Sequence, residues 1–365
     1  MNTNKKILAG LVALAAAGTA NAAIVVGGDN GYEFSVDGNI NQFFVYTDQK
    51  DAKADPTVPG SNDQDTSSRV RNGLLPTFFG FNVKAPTMNG LDIGARVSIS
   101  PSTNGGSYTG ANGQDSNAME QREAFATISG SFGTFLAGKA LGLYGSHNIL
   151  TDQTLYGVGA HLGGNGTTTL GRIGYGYDYA NWRSQFKWTS VDMSGFQIAL
   201  AIMDSEEINA TDNKSDPRWE ADLTYATSFD GGSVSAWLSG MAQTVEPAVG
   251  SDIDSDAYTV GGTLNFGGFE AMVSYYDNSG VGDLGGLVFS SGADGSGDER
   301  DGDGYIVQGG YNFGGTTRLI ASYGESTLDQ TSAEKAAGTG YDIDTRGMTT
   351  VGVYHDVNSN LKLVA

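Results

Sequence analysis

Apolar and polar residues alternate position by position along most of this chain. The clearest stretch is Leu91-Asp92-Ile93-Gly94-Ala95-Arg96-Val97-Ser98-Ile99-Ser100. Leu91, Ile93, Ala95, Val97 and Ile99 share one face, and Asp92, Arg96, Ser98 and Ser100 share the other. A strand makes that separation because successive side chains point to opposite faces. Phe34, Val36, Ile40 and Phe44 likewise oppose Glu33, Ser35, Asp37, Asn39 and Asn41. Trp219, Ala221, Leu223 and Tyr225 oppose Arg218, Glu220, Asp222 and Thr224. The pattern returns at Phe269–Tyr275 and Leu319–Tyr323. It predicts strands near 32–47, 69–85, 91–100, 119–129, 134–140, 181–190, 196–204, 217–228, 233–243, 255–266, 269–277, 303–313, 316–324, 345–354 and 360–365.

The joins alternate in length. Asn89-Gly90, Asp230-Gly231-Gly232, Gly267-Gly268 and Gly314-Gly315 are short and suit tight hairpins, because these residues accept φ > 0. Between them lie long polar stretches, near 48–68, 101–118, 141–180, 205–216, 244–254, 278–302 and 325–344. Alternation alone also fits a secreted sandwich, since a half-buried strand in water looks the same. Short turns at one end and long loops at the other are the layout of an outer-membrane barrel.

The N-terminus points the same way. Lys5 and Lys6 precede the apolar run Ile7 to Gly18, and Ala20-Asn21-Ala22 follows as a small-x-small cleavage signal. Residues 1–22 therefore read as a signal peptide and 23–365 as one barrel domain. No later run is long and apolar enough for a membrane helix, so a membrane role requires a barrel. The 55 Gly against 7 Pro, with 17 Tyr and 16 Phe, suit many short strands and tight turns rather than disorder. With no Cys, disulfides and thiolate chemistry are excluded. The mature chain keeps 18 Lys and Arg against 41 Asp and Glu, a net −23. Such acidity disfavours nucleic-acid binding and favours cations near the surface.

Three stretches resemble the Gram-negative porin family of proteobacterial outer membranes. They are Ser68-Arg69-Val70-Arg71-Asn72-Gly73-Leu74-Leu75-Pro76 with Phe79-Gly80-Phe81, then Arg122-Glu123-Ala124-Phe125 through Gly133 with Leu136-Ala137-Gly138-Lys139, and Val351-Gly352-Val353-Tyr354-His355-Asp356-Val357-Asn358. The resemblance implies an all-β, transmembrane, antiparallel barrel of sixteen strands. It also implies a homotrimer in the outer membrane, with a third loop folded inward to narrow a water-filled pore. Family members end in an aromatic residue within a closing strand. The chain stops at Ala365 after about fifteen predicted strands, so the closing strand is expected to be missing from this sequence.

A pore needs width and lining charge rather than a reaction centre. No Ser, His and acid arrangement for an enzyme stands out among three His. Arg71, Arg96 and Arg122 lie at polar-face positions of successive strands, with Arg69 two residues from Arg71. Charges on a lipid face cost about 2–4 kcal/mol at midplane, so these four are expected to line the pore. The residues between Ala140 and Ala180 form the expected constriction loop, with its acids Asp152 and Asp178 also expected to line the pore and His147, His161 and Arg172 nearby. Its middle, Leu155 to Leu162, is nearly uncharged and predicts a mild field. The run Asp294 to Asp303 could wrap Ca²⁺, or link to lipopolysaccharide through bridging cations, or be a solvated acidic loop; otherwise no cofactor is expected. Phe34, Phe44, Tyr46, Trp188, Trp219, Tyr225, Tyr275, Tyr311 and Tyr323 fit interfacial girdles. The leading expectation is passive diffusion of ions and small hydrophilic solutes, cation-preferring by charge. A sugar- or anion-selective channel and a barrel-borne adhesin are the alternatives.

Overall fold

The computed structural model describes residues 24–48, 66–101, 103, 119–160, 168–205, 216–247, 250–281, 292–339 and 345–365. The expected signal segment 1–22 and His161 lie outside them. The chain is built of β1 (Ile24–Gly27), β2 (Glu33–Asn39), β3 (Phe43–Asp48), β4 (Thr66–Arg71), β5 (Phe78–Lys84), β6 (Asp92–Pro101), β7 (Met119–Glu120) and β8 (Ala124–Gly130). Next come β9 (Gly133–Leu141), β10 (Trp182–Thr189), β11 (Phe196–Met203), β12 (Arg218–Phe229), β13 (Gly232–Val245) and β14 (Ile253–Phe266). β15 (Phe269–Ser279), β16 (Asp301–Phe313), β17 (Thr317–Leu328), β18 (Thr345–Asn358) and β19 (Leu361–Val364) complete it.

The strand pairings are antiparallel throughout, and β3 pairs with β4 as a separate two-stranded ribbon. The ladders lead from β1 through β2, β5, β6, β8 and β9, then in order from β10 to β19. This is the sheet of a porin-type barrel. Tight turns set the register. Asn89 and Gly90 both hold positive φ, at 53° and 76°, the paired left-handed conformation of a two-residue hairpin. Phe266 pairs with Phe269 across Gly267-Gly268, again with both φ positive.

Three predicted strands are broken. The 32–47 strand divides into β2 and β3, the 69–85 strand into β4 and β5, and the 119–129 strand into β7 and β8. At the first two breaks polar side chains replace the ladder. Asn41 Oδ1 accepts Gly73 N–H at 2.7 Å, and Asn41 N–H donates to Thr77 Oγ1 at 3.1 Å. The chain between β4 and β5 then offers Leu74 N–H and Leu75 N–H to Gly157 and Leu155 carbonyls, far along the sequence. With each broken strand counted once, the fifteen expected strands are all present, and β1 is an addition.

Burial is inverted relative to a water-soluble sheet. On β15 Phe269 and Val273 are 64% and 56% exposed, whereas Ser274, next to Val273, is 2% exposed. On β6 Ile93 and Val97 are exposed while Arg96, Ser98 and Ser100 are buried. The apolar face therefore points outward and the polar face inward. Left in water it would be an apolar surface far larger than soluble proteins carry; against lipid it is solvated. Aromatic rings mark both edges of that surface. Tyr258, Tyr275, Tyr305 and Tyr323 follow one another near the long-loop end, with neighbouring centroids 6.3 Å and 6.0 Å apart for the outer two pairs. Phe196 with Tyr225, Phe229 with Phe266, and Phe269 with Tyr311 do so near the turns.

Candidate channel constriction

The long segment between β9 and β10 turns inward. It carries a short helix α1 (Ser146–Thr151) and a 3-10 turn (Gln153–Tyr156) whose N-cap Asp152 accepts Thr154 N–H. Its backbone and side chains are tied to inward-facing groups of the barrel. Glu220 of β12 accepts the N–H groups of Leu143 and Tyr144. Asn148 donates to Ser274 of β15 at 2.8 Å and accepts from Thr259 of β14 at 3.2 Å. Gln308 of β16 accepts Gln153 N–H and donates to Thr151 C=O. Tyr354 of β18 donates to Gln153 C=O at 2.7 Å. Arg172 donates to Ser322 C=O and Oγ on β17 and to Met348 C=O and Thr350 Oγ1 on β18.

On the opposite side the loop bonds to the β4–β5 connection through Leu74 and Leu75. Ile149, Leu155, Ile173, Tyr177 and Ala180 of the loop pack with Leu74 and Leu141 as an apolar core. The loop is thus a packed element braced between two walls, and it narrows the lumen.

Each residue expected at the pore has a definite place. Arg71 is 2% exposed and donates to Thr168 C=O of the loop. Arg69 lies on the same face of β4 and is exposed. Arg96 is held by two acids: it donates to Asp37 at 2.7 Å and to Glu123 at 2.7 Å, and also to Asn82. Arg122 is half-buried and donates to Glu120 at 3.0 Å.

The two loop acids depart from expectation. Asp152 and Asp178, 3% and 5% exposed, are turned into the loop's own packing rather than toward open water. Asp152 accepts from Thr154 and from Tyr177 O–H at 2.8 Å, with Arg172 Nε 3.8 Å away. Asp178 accepts from Tyr144 O–H at 2.6 Å and Asn278 Nδ2 at 2.7 Å. A buried carboxylate loses hydration, so it survives only where donors surround it. Even so, burial pushes Asp178 up to about 6.

That shift has a testable sign. The unfolded Asp titrates near 4. Above pH 6 the fold must hold a charge it disfavours, costing about 3 kcal/mol. As pH falls from above 6 toward 4 the folded state takes up the proton first and gains stability. Asp178→Asn is therefore expected to raise the urea midpoint at pH 8 by far more than at pH 4. Equal effects at both pH values would contradict the buried charge.

Sequence reading missed the partners. Asp37 and Glu220 were on the polar faces of their strands, but only register places Asp37 on Arg96. His147 stacks on Trp237 at 5.4 Å and meets Asp222 at 3.1 Å, joining α1 to β12 and β13. The Asp294 segment acts as a clasp between loops. Asp294 accepts from Ser296 N–H, Asp298 N–H and Thr331 Oγ1, while Arg300 pairs with Glu334 at 2.6 Å in helix α2 (Ser332–Ala337). Among the described residues no group of three or more His, Asp or Glu is placed to hold a metal ion.

A lipid-facing sheet around a polar lumen, narrowed by an inserted loop, is the architecture of an outer-membrane diffusion channel. The chain belongs to the Gram-negative porin family, whose pattern it matches over residues 9–365. It is accordingly an outer-membrane porin, a channel for passive diffusion. Its fold is similar to that of the outer membrane channel DcaP of Acinetobacter baumannii, with 12% identity, 93% and 91% of the two chains covered and a TM-score of 0.67. An anion-selective porin from Comamonas acidovorans shares 15% identity over 91% and 87%, with a TM-score of 0.64. Salmonella typhi OmpF, in complex with daunomycin, shares 16% over 94% and 90%, with a TM-score of 0.59. No curated protein matches the chain by sequence.

Proposed function

We propose that residues 1–22 are removed on export and that the mature protein assembles as a homotrimer. Each pore passes ions and small hydrophilic solutes with weak charge selectivity. The observation that carries this reading is the braced loop, which leaves a narrowed polar lumen whose charges are largely compensated. Arg96 is matched by Asp37 and Glu123, Arg218 by Glu220, Arg318 by Glu270, and Arg172 by Asp152. Much of the acidity lies elsewhere. Asp256, Asp277, Asp303 and Glu325 share the outward face with Tyr258, Tyr275, Tyr305 and Tyr323. There they would meet lipopolysaccharide through bridging cations, and they add little to the field inside.

Cation preference inferred from net charge is therefore expected to be slight. In planar bilayers under a tenfold KCl gradient, the reversal potential should fall well short of the ~59 mV of an ideally selective pore. A value near that limit would refute weak selectivity, and no conductance would refute the channel.

A further inference from the structure

We propose that the outward wall holds a seat for a membrane amphiphile with an ammonium head, its acyl chain lying across β9 to β13 and its head between Trp219 and Asp256. The inference rests on the outward face meeting lipid, and it assigns one kind of lipid to one place on that face.

The wall is not uniformly bulky there. A groove of about 470 Å³ crosses the outward faces of β9 to β13. Phe186, Trp188 and Trp219 stand along it, whereas Ala221, Gly240 and Ala242 leave room beside them. The strand register brings the small residues together: Gly240 pairs with Ala221, and Ala242 with Trp219. The strand spacings from β9 to β13 make a path of about 19 Å. Half of the hydrocarbon core of a bilayer is about 15 Å deep, so one acyl chain fits along the groove. A chain lying there touches wall at its sides as well as beneath, and gains dispersion contacts that a smooth barrel face does not offer.

The groove has a direction. At its β10 end Trp188 Nε1 donates to Phe132 C=O of a short turn at 2.9 Å. At its other end Ala242 lies near Val245, where β13 gives way to a long loop. The groove therefore climbs from the turn edge of the barrel to the loop edge, and a chain seated in it brings its head to the loop edge.

An aromatic ring and an acid meet the head there. Ala242 is flanked on the neighbouring strands by Trp219 and Asp256, whose Cβ atoms stand about 5 Å to either side. Trp219 is 58% exposed. The Asp256 carboxylate is exposed and makes no hydrogen bond or ion pair among the described residues. An ammonium is the group that both neighbours attract, the carboxylate by its charge and the indole by its quadrupole. A bare phosphate head would be repelled by Asp256 and by Asp254, which is exposed on the same face. At Asp256 the lipid's own ammonium thus takes the place of a bridging cation.

The test is tryptophan quenching in the full-length protein, reconstituted into phosphatidylglycerol vesicles without divalent cations and doped with lipids brominated in the acyl chain. Bromine quenches nearby indoles, and Trp188 and Trp219 both line the groove. Brominated phosphatidylcholine is expected to reach half-maximal quenching at about one fifth of the mole fraction that brominated phosphatidylglycerol needs, a preference of about 1 kcal/mol. Asp256→Asn should abolish that preference and Asp256→Glu should keep it; both change an exposed side chain. Ala242→Leu fills the groove and should weaken quenching by both lipids. Equal quenching by the two lipids in the wild type would overturn the seat, as would a preference untouched by Asp256→Asn or quenching unchanged in Ala242→Leu. A preference for phosphatidylglycerol that appears on adding Mg²⁺ would also overturn it, and would assign the groove to a phosphate-headed lipid. Absence of quenching by either lipid would overturn the lipid-facing reading of the wall, and the seat with it.

Discussion

Replacing Arg96 with Met is expected to lower the stability of the folded barrel by about 3–5 kcal/mol. The guanidinium joins three separate stretches of wall: Asp37 on β2, Asn82 on β5 and Glu123 just before β8. Its side chain is 8% exposed, and those of Asp37 and Glu123 are 20% and 9% exposed. Removing the cation leaves two carboxylates facing each other with little water. Unfolding in urea, followed by tryptophan fluorescence in lipid vesicles, reads the loss. The triple change Arg96→Met, Asp37→Asn, Glu123→Gln should recover much of it, because no uncompensated charge remains. A single variant as stable as the wild type would show that the triad is hydrated and structurally idle. Gly80 gives an independent check. A Cβ there would lie 2.5 Å from Asp37 Oδ1 and 2.6 Å from both terminal nitrogens of Arg96. Gly80→Ala must push the triad apart and should cost about 1–3 kcal/mol.

The same triad shows what the sequence could and could not reveal. Arg96 was legible as an inward residue, because its neighbours Ala95 and Val97 carry the lipid-facing side of an unbroken alternation. Its partners were not, since Asp37 is 59 residues away and Glu123 is 27. Their meeting depends on the β2–β5–β6 register, which local pattern does not encode. The strands themselves were legible for the reason Arg96 was: a period of two survives whether water or lipid is outside. The breaks at Asn41 and Asn72–Thr77 were hidden because they answer to a distant loop, which supplies the carbonyls of Leu155 and Gly157. The loop acids misled for a related reason. A polar residue in an unpatterned segment looks solvent-facing until the walls that bury it are known. Asp152 and Asp178 are buried only because Tyr177, Tyr144 and Asn278 arrive as donors.

Arg172→Ala is expected to raise single-channel conductance rather than abolish it. Arg172 is fully buried and is the far anchor of the inserted loop. Its four hydrogen bonds reach two strands: Ser322 C=O at 2.9 Å and Oγ at 2.6 Å, Met348 C=O at 2.7 Å, and Thr350 Oγ1 at 2.8 Å. Truncation removes these bonds and strands the buried Asp152 without its cation, a combined loss of about 3–5 kcal/mol. The barrel ladders do not depend on Arg172, so the loss falls on the loop. A loop freed from β17 and β18 no longer holds the narrowest section, and conductance through a constriction follows its width. An increase of about twofold with noisier open-state current is the expected reading. Adding Asp152→Asn separates the two parts of the effect. It relieves the stranded charge, so stability should return in part, but it restores no anchor to β17 or β18, so conductance should stay high. If the double variant conducts like the wild type, the loop is held by its remaining anchors, Asn148, Gln308 and Tyr354, and Arg172 serves only to neutralise Asp152.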